Sequence, residues 1–282
     1  MPDVTFGPLG EEWHYSTGSR TFDLSKGSEK KLTFQTTEGP KLTSIAISPE
    51  SSALVVVDMQ NFFLDPRCRD HPNGLKAVEP TIKVIEKCRE AGIQVHQSSH
   101  SLLLPLKVEN TRLAIQRLPY SQVIWLNWGL TDEDMKTMPA GVQRGFLRSV
   151  LQPESTPLRS YAGLGSELGD SKGRCLFAGY WNTELYPPLK EQVKPDDIHC
   201  AKNRLSGLWN SDQPLWKALR AEKKNTLIFT GVNTDQCVQG TMVDAYNVGW
   251  NCILIDDCCG TTTPGAKEVV FHNIVVSRQL TD

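Results

Sequence analysis

The chain has 282 residues, of which 39% are hydrophobic and 22% are charged, a composition that excludes an intrinsically disordered protein and allows a sizeable core. A formal net charge of −2 leaves no surplus of positive side chains for a phosphate backbone, so we expect no nucleic-acid partner. No apolar run approaches the roughly 18 residues of a membrane span, and the first residues lack the pattern of a secretory signal, so we expect no membrane association.

The first predicted elements follow an N-terminal region without clear periodicity. Residues 1–50 are polar and predict an extended N-terminal arm with one short strand at 42–48. The run LVVV at 54–57 is β-branched and apolar on both faces, which suits a central strand of a parallel sheet. Apolar residues at helical spacing over 79–91 then predict a helix that Gly92 ends.

Strands and helices alternate again in the last third of the chain. Strands are predicted at 197–201, 226–230 and 252–256, and helices at 211–222, 236–249 and 264–273. This alternation predicts one α/β domain, over 51–274, with a mainly parallel sheet and right-handed crossovers.

Residues 95–122 interrupt this pattern. The stretch GIQ at 92–94 begins a strand and VIWLNW at 123–128 is a strand, and joining the two gives one strand of normal length. We therefore predict an insertion into the second core strand. Either it is a retained intron in the gene model, or it is a genuine surface excursion. The tail 275–282 is atypical as well.

Three reactive side chains follow three of the predicted strands. Asp58 follows 54–57, Lys202 follows 197–201, and Cys237 follows 226–230 across the turn GVNTDQ. Ligands of open α/β sheets bind beyond the carboxyl ends of the strands. The sequence therefore predicts that a carboxylate, an ammonium group and a thiol meet at one edge of the sheet.

Each of these groups has a plausible chemical task. Cys237 stands at the start of a predicted helix, where the positive end of the helix dipole and Lys202 would favour the thiolate nucleophile. Asp58 can accept the thiol proton and return it to a leaving amine, while Lys202 keeps Asp58 ionised and oriented. Backbone N–H groups of the turn at 231–237 are suited to an oxyanion hole.

Simpler interpretations compete with these assignments. A single cysteine is more often a packing residue, Asp58 alone could cap a turn, and Lys202 alone could be a surface lysine. Cys258 and Cys259 are expected to be buried packing residues rather than a metal site or a disulfide. No dinucleotide fingerprint or P-loop occurs, so a nucleotide cofactor has no support. The eight cysteines form no C-x-x-C pair, which predicts a reduced, cytoplasmic protein.

The motifs around the three residues resemble the isochorismatase-like cysteine hydrolase superfamily, which includes nicotinamidases, N-carbamoylsarcosine amidohydrolases and ureidoacrylate amidohydrolases. The matching segments are ALVVVDMQNFF at 53–63, AKNRLSGLW at 201–209 and TLIFTGVNTDQCVQGTMVDAYNVGW at 226–250, with looser similarity over 179–189 and 256–266. The resemblance covers most of 50–274 apart from 95–122. It implies a three-layer Rossmann-like fold whose central sheet is flanked by helices, and a homo-oligomer.

The resemblance also implies roles for individual residues. Asp58 would be the base, Lys202 its partner and Cys237 the nucleophile. A cis peptide at Val232–Asn233 would turn the Asn233 N–H toward the oxyanion, beside the N–H of Cys237. The residues predicted to contact substrate are Gln60, Phe63, Asn127, Trp181, Leu205 and Trp209.

The resemblance favours one branch and leaves two alternatives. The patterns W-N-x-E-L and K-N-R-x-S-G are most similar to the ureidoacrylate and carbamoyl-amide branch, so the expected substrate is a small ureido or carbamoyl amide. The pattern D-x-H-P-x-x-H of nicotinamidases is missing, so we expect neither zinc nor any other cofactor. The alternatives are a vinyl-ether hydrolase of the isochorismatase type and a non-catalytic or misassembled isoform that acts only as a binding protein.

Overall fold

The computed structural model of the protein describes residues 2–36, 43–93, 123–147, 163–277 and 280–281. The strands in these residues form two sheets. They are β1 Val4–Phe6, β2 Trp13–Ser16, β3 Thr21–Asp23, β4 Leu32–Gln35, β5 Ser44–Ile47, β6 Ser52–Val57, β7 Val123–Trp128, β8 Ile198–Lys202, β9 Thr226–Val232, β10 Asn251–Gly260 and β11 Leu280–Thr281.

Helices flank the larger sheet. They are α1 Asn61–Leu64, α2 Pro72–Lys76, α3 Val78–Ala91, α4 Asp132–Thr137, α5 Ala140–Gly145, α6 Pro187–Lys190, α7 Pro214–Ala221, α8 Gln239–Val248 and α9 Ala266–Ser277. Among the described residues, none of the helices is both long and apolar enough to cross a bilayer.

The larger sheet has six strands in the order β11-β10-β9-β6-β7-β8, and every neighbouring pair is parallel. All residues of β6 and β9 are buried, as expected for central strands covered on both faces. The chain runs from β6 outward to β8 and then returns to the other side of β6 with β9. This reversal at β6 is the topological switch point of the sheet, where α/β proteins place their ligand sites. The prediction of an α/β fold with a mainly parallel central sheet is confirmed.

The described residues among the first 50 form a second sheet rather than an extended arm with one strand. Its five strands have the order β1-β2-β3-β5-β4, and only β5 had been predicted. The expectation was wrong because β1 to β4 are short and exposed or half-buried, so they lack the apolar run that reveals a buried strand. The indole N–H of Trp13 donates to Asn251 Oδ1 at 2.9 Å and so connects this sheet to β10.

The segment around the predicted interruption is described only at its two sides. α3 ends at Gly92, which has a φ of +72°, and the N–H groups of Gly92 and Ile93 donate to carbonyls of the last helical turn. Gly92 and Ile93 therefore belong to the end of a helix, and the strand predicted to start at 92–94 is wrong for these two residues. The predicted insertion at 95–122 lies outside the described residues.

The start of β7 is held by a buried carboxylate. The side chain of Asp197 is 0% exposed and accepts hydrogen bonds from the N–H of Val123 at 2.9 Å and from the indole of Trp125 at 3.0 Å. It also forms an ion pair with Arg89 at 2.9 Å and accepts the N–H of Lys194. This single side chain joins α3, β7 and the loop before β8.

Replacing Asp197 by alanine is expected to lower the free energy of unfolding by about 3–5 kcal/mol, because the substitution leaves the Arg89 charge and several buried N–H groups without an acceptor. Urea unfolding of Asp197→Ala and of the neighbouring Asp196→Ala measures the effect. Equal midpoints for the two variants would contradict it.

Candidate active site

The structure brings together the three side chains predicted to meet at the sheet edge. Asp58 follows β6, and Oδ2 of its carboxylate lies 2.9 Å from Nζ of Lys202, the last residue of β8. Both side chains are 0% exposed. Cys237 follows β9 in a π-helical turn, Thr234–Val238, and its thiol donates a hydrogen bond to the Asp58 carboxylate. Residues from three separate strands thus form one buried cluster.

Backbone geometry directs Asp58 into this cluster. Its φ of +53° is unusual for a residue other than glycine, and its N–H donates to the carbonyl of Leu126 at 2.9 Å. Oδ1 of its carboxylate accepts the N–H of Trp128 at 3.1 Å. The left-handed conformation is therefore held by the neighbouring strand, and it turns the carboxylate toward Lys202.

Lys202 has polar and aromatic partners besides Asp58. Its Nζ donates to the carbonyl of Arg204 at 3.1 Å and lies 4.1 Å from the ring centroid of Trp128. A cation above an aromatic face is attracted by the ring, and burial strengthens that attraction. These contacts stabilise an ammonium group at a position without access to water.

Burial changes the expected proton affinity of the nucleophile. It raises the pKa of the Cys237 thiol to about 12, and the charge of Asp58 also raises it, whereas Lys202 and the indole of Trp128 act in the opposite direction. The expectation of a favoured thiolate was wrong, because the loss of hydration outweighs the ammonium group. In the resting site the thiol is therefore protonated.

The pKa of Asp58 is raised as well. Burial is the largest cause, and it outweighs the charge of Lys202 and the hydrogen bonds from Cys237, Lys202 and the Trp128 N–H. A carboxyl with a raised pKa is a stronger base once it is ionised. The pair is therefore arranged so that the thiol proton can pass directly to the carboxylate as the sulfur reacts.

Asn233 lies between β9 and the turn that carries Cys237. The peptide bond Val232–Asn233 is cis, as the resemblance implied, and Asn233 is 2% exposed. Its carbonyl accepts the N–H groups of Gln236 and Val238. The assignment of the N–H groups of Asn233 and Cys237 to an oxyanion hole remains a prediction.

Two of the residues predicted to contact substrate are committed to the protein interior. Gln60 donates both amide hydrogens, to the carbonyls of Trp128 and Thr183 at 2.8 Å each, and its oxygen accepts the Trp128 N–H. Phe63 is 4% exposed and packs edge-on against Phe62. The Gln60 amide has no donor left for a substrate and joins the end of β7 to the segment around Thr183, so its contact with substrate remains a prediction.

The other predicted contacts are more accessible. Asn127 in β7 is half-buried, and its side-chain oxygen has no hydrogen-bond partner among the described residues. The ring of Trp181 is half-buried beneath the guanidinium of Arg67 at 4.2 Å. Leu205 and Trp209 are 47% and 42% exposed on the loop after β8. These four residues remain candidates for substrate contact.

The asparagine of the motif W-N-x-E-L, Asn182, has a structural role in a loop. Asn182 is 0% exposed, accepts the N–H of Leu176 at 2.8 Å, and donates to the carbonyls of Lys172 and Arg174. It therefore fixes the loop that presents Trp181 and does not itself face a substrate.

Two residues at the site were not predicted from the sequence. Trp128 is adjacent to all three reactive groups, whereas the sequence indicated only a core aromatic near a strand end that could line a pocket. His71 is fully buried, and its Nε2 lies 2.5 Å from Oδ1 of Asn233. Trp128 ends a strand beside Asp58, which was a usable signal, whereas His71 ends no strand and carries no recognisable motif.

In the part of the chain that the structure describes, no three His, Cys, Asp or Glu side chains are grouped so that they could hold a metal ion. The eight cysteines are buried and unbridged, including Cys258 and Cys259 in β10.

Comparison with known proteins gives consistent similarities. The family model of the isochorismatase domain matches residues 159–281. The ureidoacrylate amidohydrolase RutB of Klebsiella pneumoniae is 27% identical over 232 residues, which cover 82% of this chain and 83% of that enzyme.

Solved structures with the same fold are more distant in sequence. A cysteine hydrolase from Pseudomonas syringae superposes with a TM-score of 0.55 at 18% identity, covering 83% of this chain and 89% of the other. N-carbamoylsarcosine amidase from Thermoplasma acidophilum superposes with a TM-score of 0.50 at 20% identity, covering 80% and 93%.

Proposed function

We propose that this chain is a cysteine-dependent amidohydrolase of the isochorismatase-like superfamily that cleaves the C–N bond of a small ureido or carbamoyl amide through a thioester intermediate, since residues 159–281 match the isochorismatase domain and the chain is similar to a ureidoacrylate amidohydrolase. The observation that carries the proposal is the buried cluster of Cys237, Asp58 and Lys202 at the switch point of the sheet. The similarity to a ureidoacrylate amidohydrolase supports the choice of substrate class.

The first half of the reaction forms the thioester. As Cys237 Sγ attacks the substrate carbonyl carbon, its proton moves to the Asp58 carboxylate, and the carbonyl oxygen becomes an oxyanion. The N–H groups of Asn233 and Cys237 stabilise this charge. Collapse of the tetrahedral intermediate breaks the C–N bond, and Asp58 gives its proton to the leaving nitrogen, which departs as ammonia or an amine.

The second half releases the acid. A water molecule attacks the thioester carbonyl while Asp58 accepts one of its protons, and collapse of the second tetrahedral intermediate breaks the C–S bond. The proton on Asp58 then returns to the sulfur, so that the thiol and the carboxylate are restored. Asp58 therefore acts as base and as acid in each half of the cycle, which requires it to be ionised at the start.

Lys202 is the residue that keeps Asp58 ionised. An isolated carboxylate at full burial would take up a proton, and the ammonium group at 2.9 Å opposes this. Lys202 also returns the carboxylate to one orientation after every proton transfer. It does not itself exchange a proton with the substrate in this scheme.

Product analysis tests the proposed reaction. Purified protein is incubated with ureidoacrylate, N-carbamoyl amino acids, nicotinamide and isochorismate, and released ammonia and pyruvate are measured separately. The proposal predicts ammonia from a ureido or carbamoyl compound and no pyruvate from isochorismate. Release of pyruvate from isochorismate without release of ammonia from any compound would contradict amide hydrolysis and would favour the alternative of vinyl-ether hydrolysis.

The low exposure of the nucleophile favours one competing interpretation. Cys237 is 3% exposed, as would suit a protein that binds a ligand without turning it over. A binding protein of this kind would release neither product from any compound of the panel, and its ligand would be recovered unchanged. Hydrolysis of one carbamoyl compound is sufficient to exclude it.

A further inference from the structure

The ring of His71 has a defined tautomer. His71 is the residue before α2, and its Nδ1 accepts the N–H of Gly74 at 2.8 Å. A ring nitrogen that accepts an N–H carries no proton, so the hydrogen of the neutral ring is on Nε2. Burial lowers the pKa of His71, so the ring is neutral near pH 7.

The Nε2–H group has the side chain of Asn233 as a partner. It lies 2.5 Å from Oδ1 of Asn233 and donates a hydrogen bond to that oxygen between two side chains that are 0% and 2% exposed. Hydrogen bonds in such dry surroundings are stronger than in water, and losing one leaves a buried polar group without a partner. His71 therefore holds the Asn233 side chain in one orientation.

Asn233 in turn fixes the start of the nucleophile turn. Its carbonyl accepts the N–H groups of Gln236 and Val238, the two residues that flank Cys237. A displacement of Asn233 would therefore be transmitted to the position of the sulfur. A displacement of about 1 Å at a reacting group can reduce turnover by 10²-fold.

Close backbone packing and hydrogen bonds support His71 from behind. α2 packs directly on the end of β10, where a Cβ on Gly260 would lie 2.6 Å from the carbonyl of Asn73. The Asn73 side chain donates to the carbonyl of Thr261, and the Thr261 hydroxyl donates to Asp235 in the nucleophile turn. α2 thus reaches the same turn at two points, through His71 and through Thr261.

From these contacts we infer that His71 is a positioning residue for the reaction: by donating its Nε2–H to Asn233, it fixes the turn that holds Cys237 and the predicted oxyanion donor. The inference rests on the proposed function, since it assigns His71 a part in that hydrolysis. Across the described residues, no hydrogen bond or ion pair joins His71 to the reacting sulfur or to Asp58, so it acts through Asn233.

The two nitrogens of His71 can be tested separately. In His71→Asn the side-chain oxygen reproduces the Nδ1 acceptor for Gly74, but no donor reaches Asn233. In His71→Gln the amide nitrogen reaches the place of Nε2, but the acceptor for Gly74 is lost. A purely structural histidine would depend on the cap of α2, whereas a positioning histidine depends on the donor to Asn233.

The expected result is a difference in kcat. His71→Asn is expected to lose kcat by roughly 10²-fold with little change in KM, and His71→Gln is expected to recover most of that loss. Thermal unfolding of both variants checks that they fold. The exposed His272→Asn serves as the matched control and is expected to behave as the unmodified protein.

A spectroscopic measurement tests the tautomer independently of activity. Nitrogen-15 NMR of histidine-labelled protein, with His71→Gln to assign the signal, is expected to show His71 protonated on Nε2 near pH 7. A proton on Nδ1, or unchanged kcat in His71→Asn while the unmodified protein is active, would overturn the inference alone. Absence of amide hydrolysis in the unmodified protein would instead refute the proposed function.

Discussion

Replacing Cys237 by alanine is expected to abolish ammonia release, with kcat falling by at least about 10⁴-fold. The reaction as proposed passes through a bond between Cys237 Sγ and the substrate carbonyl carbon, and alanine has no group that can form it. Neither Asp58 nor Lys202 replaces the sulfur, because each is held by the other at 2.9 Å and serves to transfer or balance charge.

The control for this variant is another buried thiol. Cys252 is 4% exposed in β10, and its sulfur contacts backbone carbonyls rather than an ionised group. Cys252→Ala removes the same atom from a site without chemistry and is expected to retain kcat. Initial rates of ammonia release are compared at saturating substrate. Turnover by Cys237→Ala at the level of Cys252→Ala would exclude a cysteine nucleophile.

Replacing Lys202 by methionine is expected to cost about 10²–10⁴-fold in kcat/KM and to move the acidic limb of the pH profile upward. The active form requires an ionised Asp58, so activity falls as the pH drops through the pKa of that carboxyl. Burial already raises this pKa, and Lys202 is the strongest influence that lowers it. Without the ammonium group the carboxyl stays protonated to higher pH, and the limb moves in that direction.

Methionine preserves the length and apolar body of the lysine, so the packing against Trp128 is largely kept. The matched control is Lys217→Met, which removes an exposed lysine from α7 and is expected to leave the profile unchanged. Profiles of kcat/KM against pH are measured for both variants, and circular dichroism confirms that they fold. A limb that stays in place or moves to lower pH in Lys202→Met would show that Lys202 does not control the ionisation of Asp58.

The central sheet and the reactive cluster were predictable from the sequence for the same reason. Strands buried on both faces produce apolar runs such as 54–57, and parallel strands carry whatever follows them to one edge. Asp58, Lys202 and Cys237 could therefore be placed together without knowledge of any contact. Their placement depends on topology, which the alternation of strands and helices encodes.

Contacts between distant segments were not predictable in this way. His71 acquires its role from Asn233, which is far along the chain, and neither residue is marked by periodicity. Gln60 stands beside Asp58, and only the structure shows that its amide is occupied by the carbonyls of Trp128 and Thr183. The pKa of Cys237 was expected to be lowered by the helix start and by Lys202. Its direction is instead decided by burial, and the extent of burial depends on how the surrounding loops pack, which the sequence does not show.

The N-terminal sheet illustrates a different limit. Its strands are mostly half-exposed and contain three or four residues each, so alternation cannot be established over so few positions. The strand that was predicted, β5, is the one with three buried residues in succession. A strand can therefore be predicted from the sequence when it is buried, because burial requires a run of apolar residues, whereas an exposed strand needs no such run.

The most direct test of covalent catalysis is the mass of the protein during turnover. The protein is mixed with a ureido or carbamoyl substrate that releases ammonia, quenched in acid within one turnover, and analysed intact and after proteolysis. We predict an added mass equal to the acyl part of the substrate, located on the peptide that contains Cys237 and absent from Cys237→Ala. Single-turnover release of product with no adduct on Cys237 at any quench time would contradict the thioester mechanism.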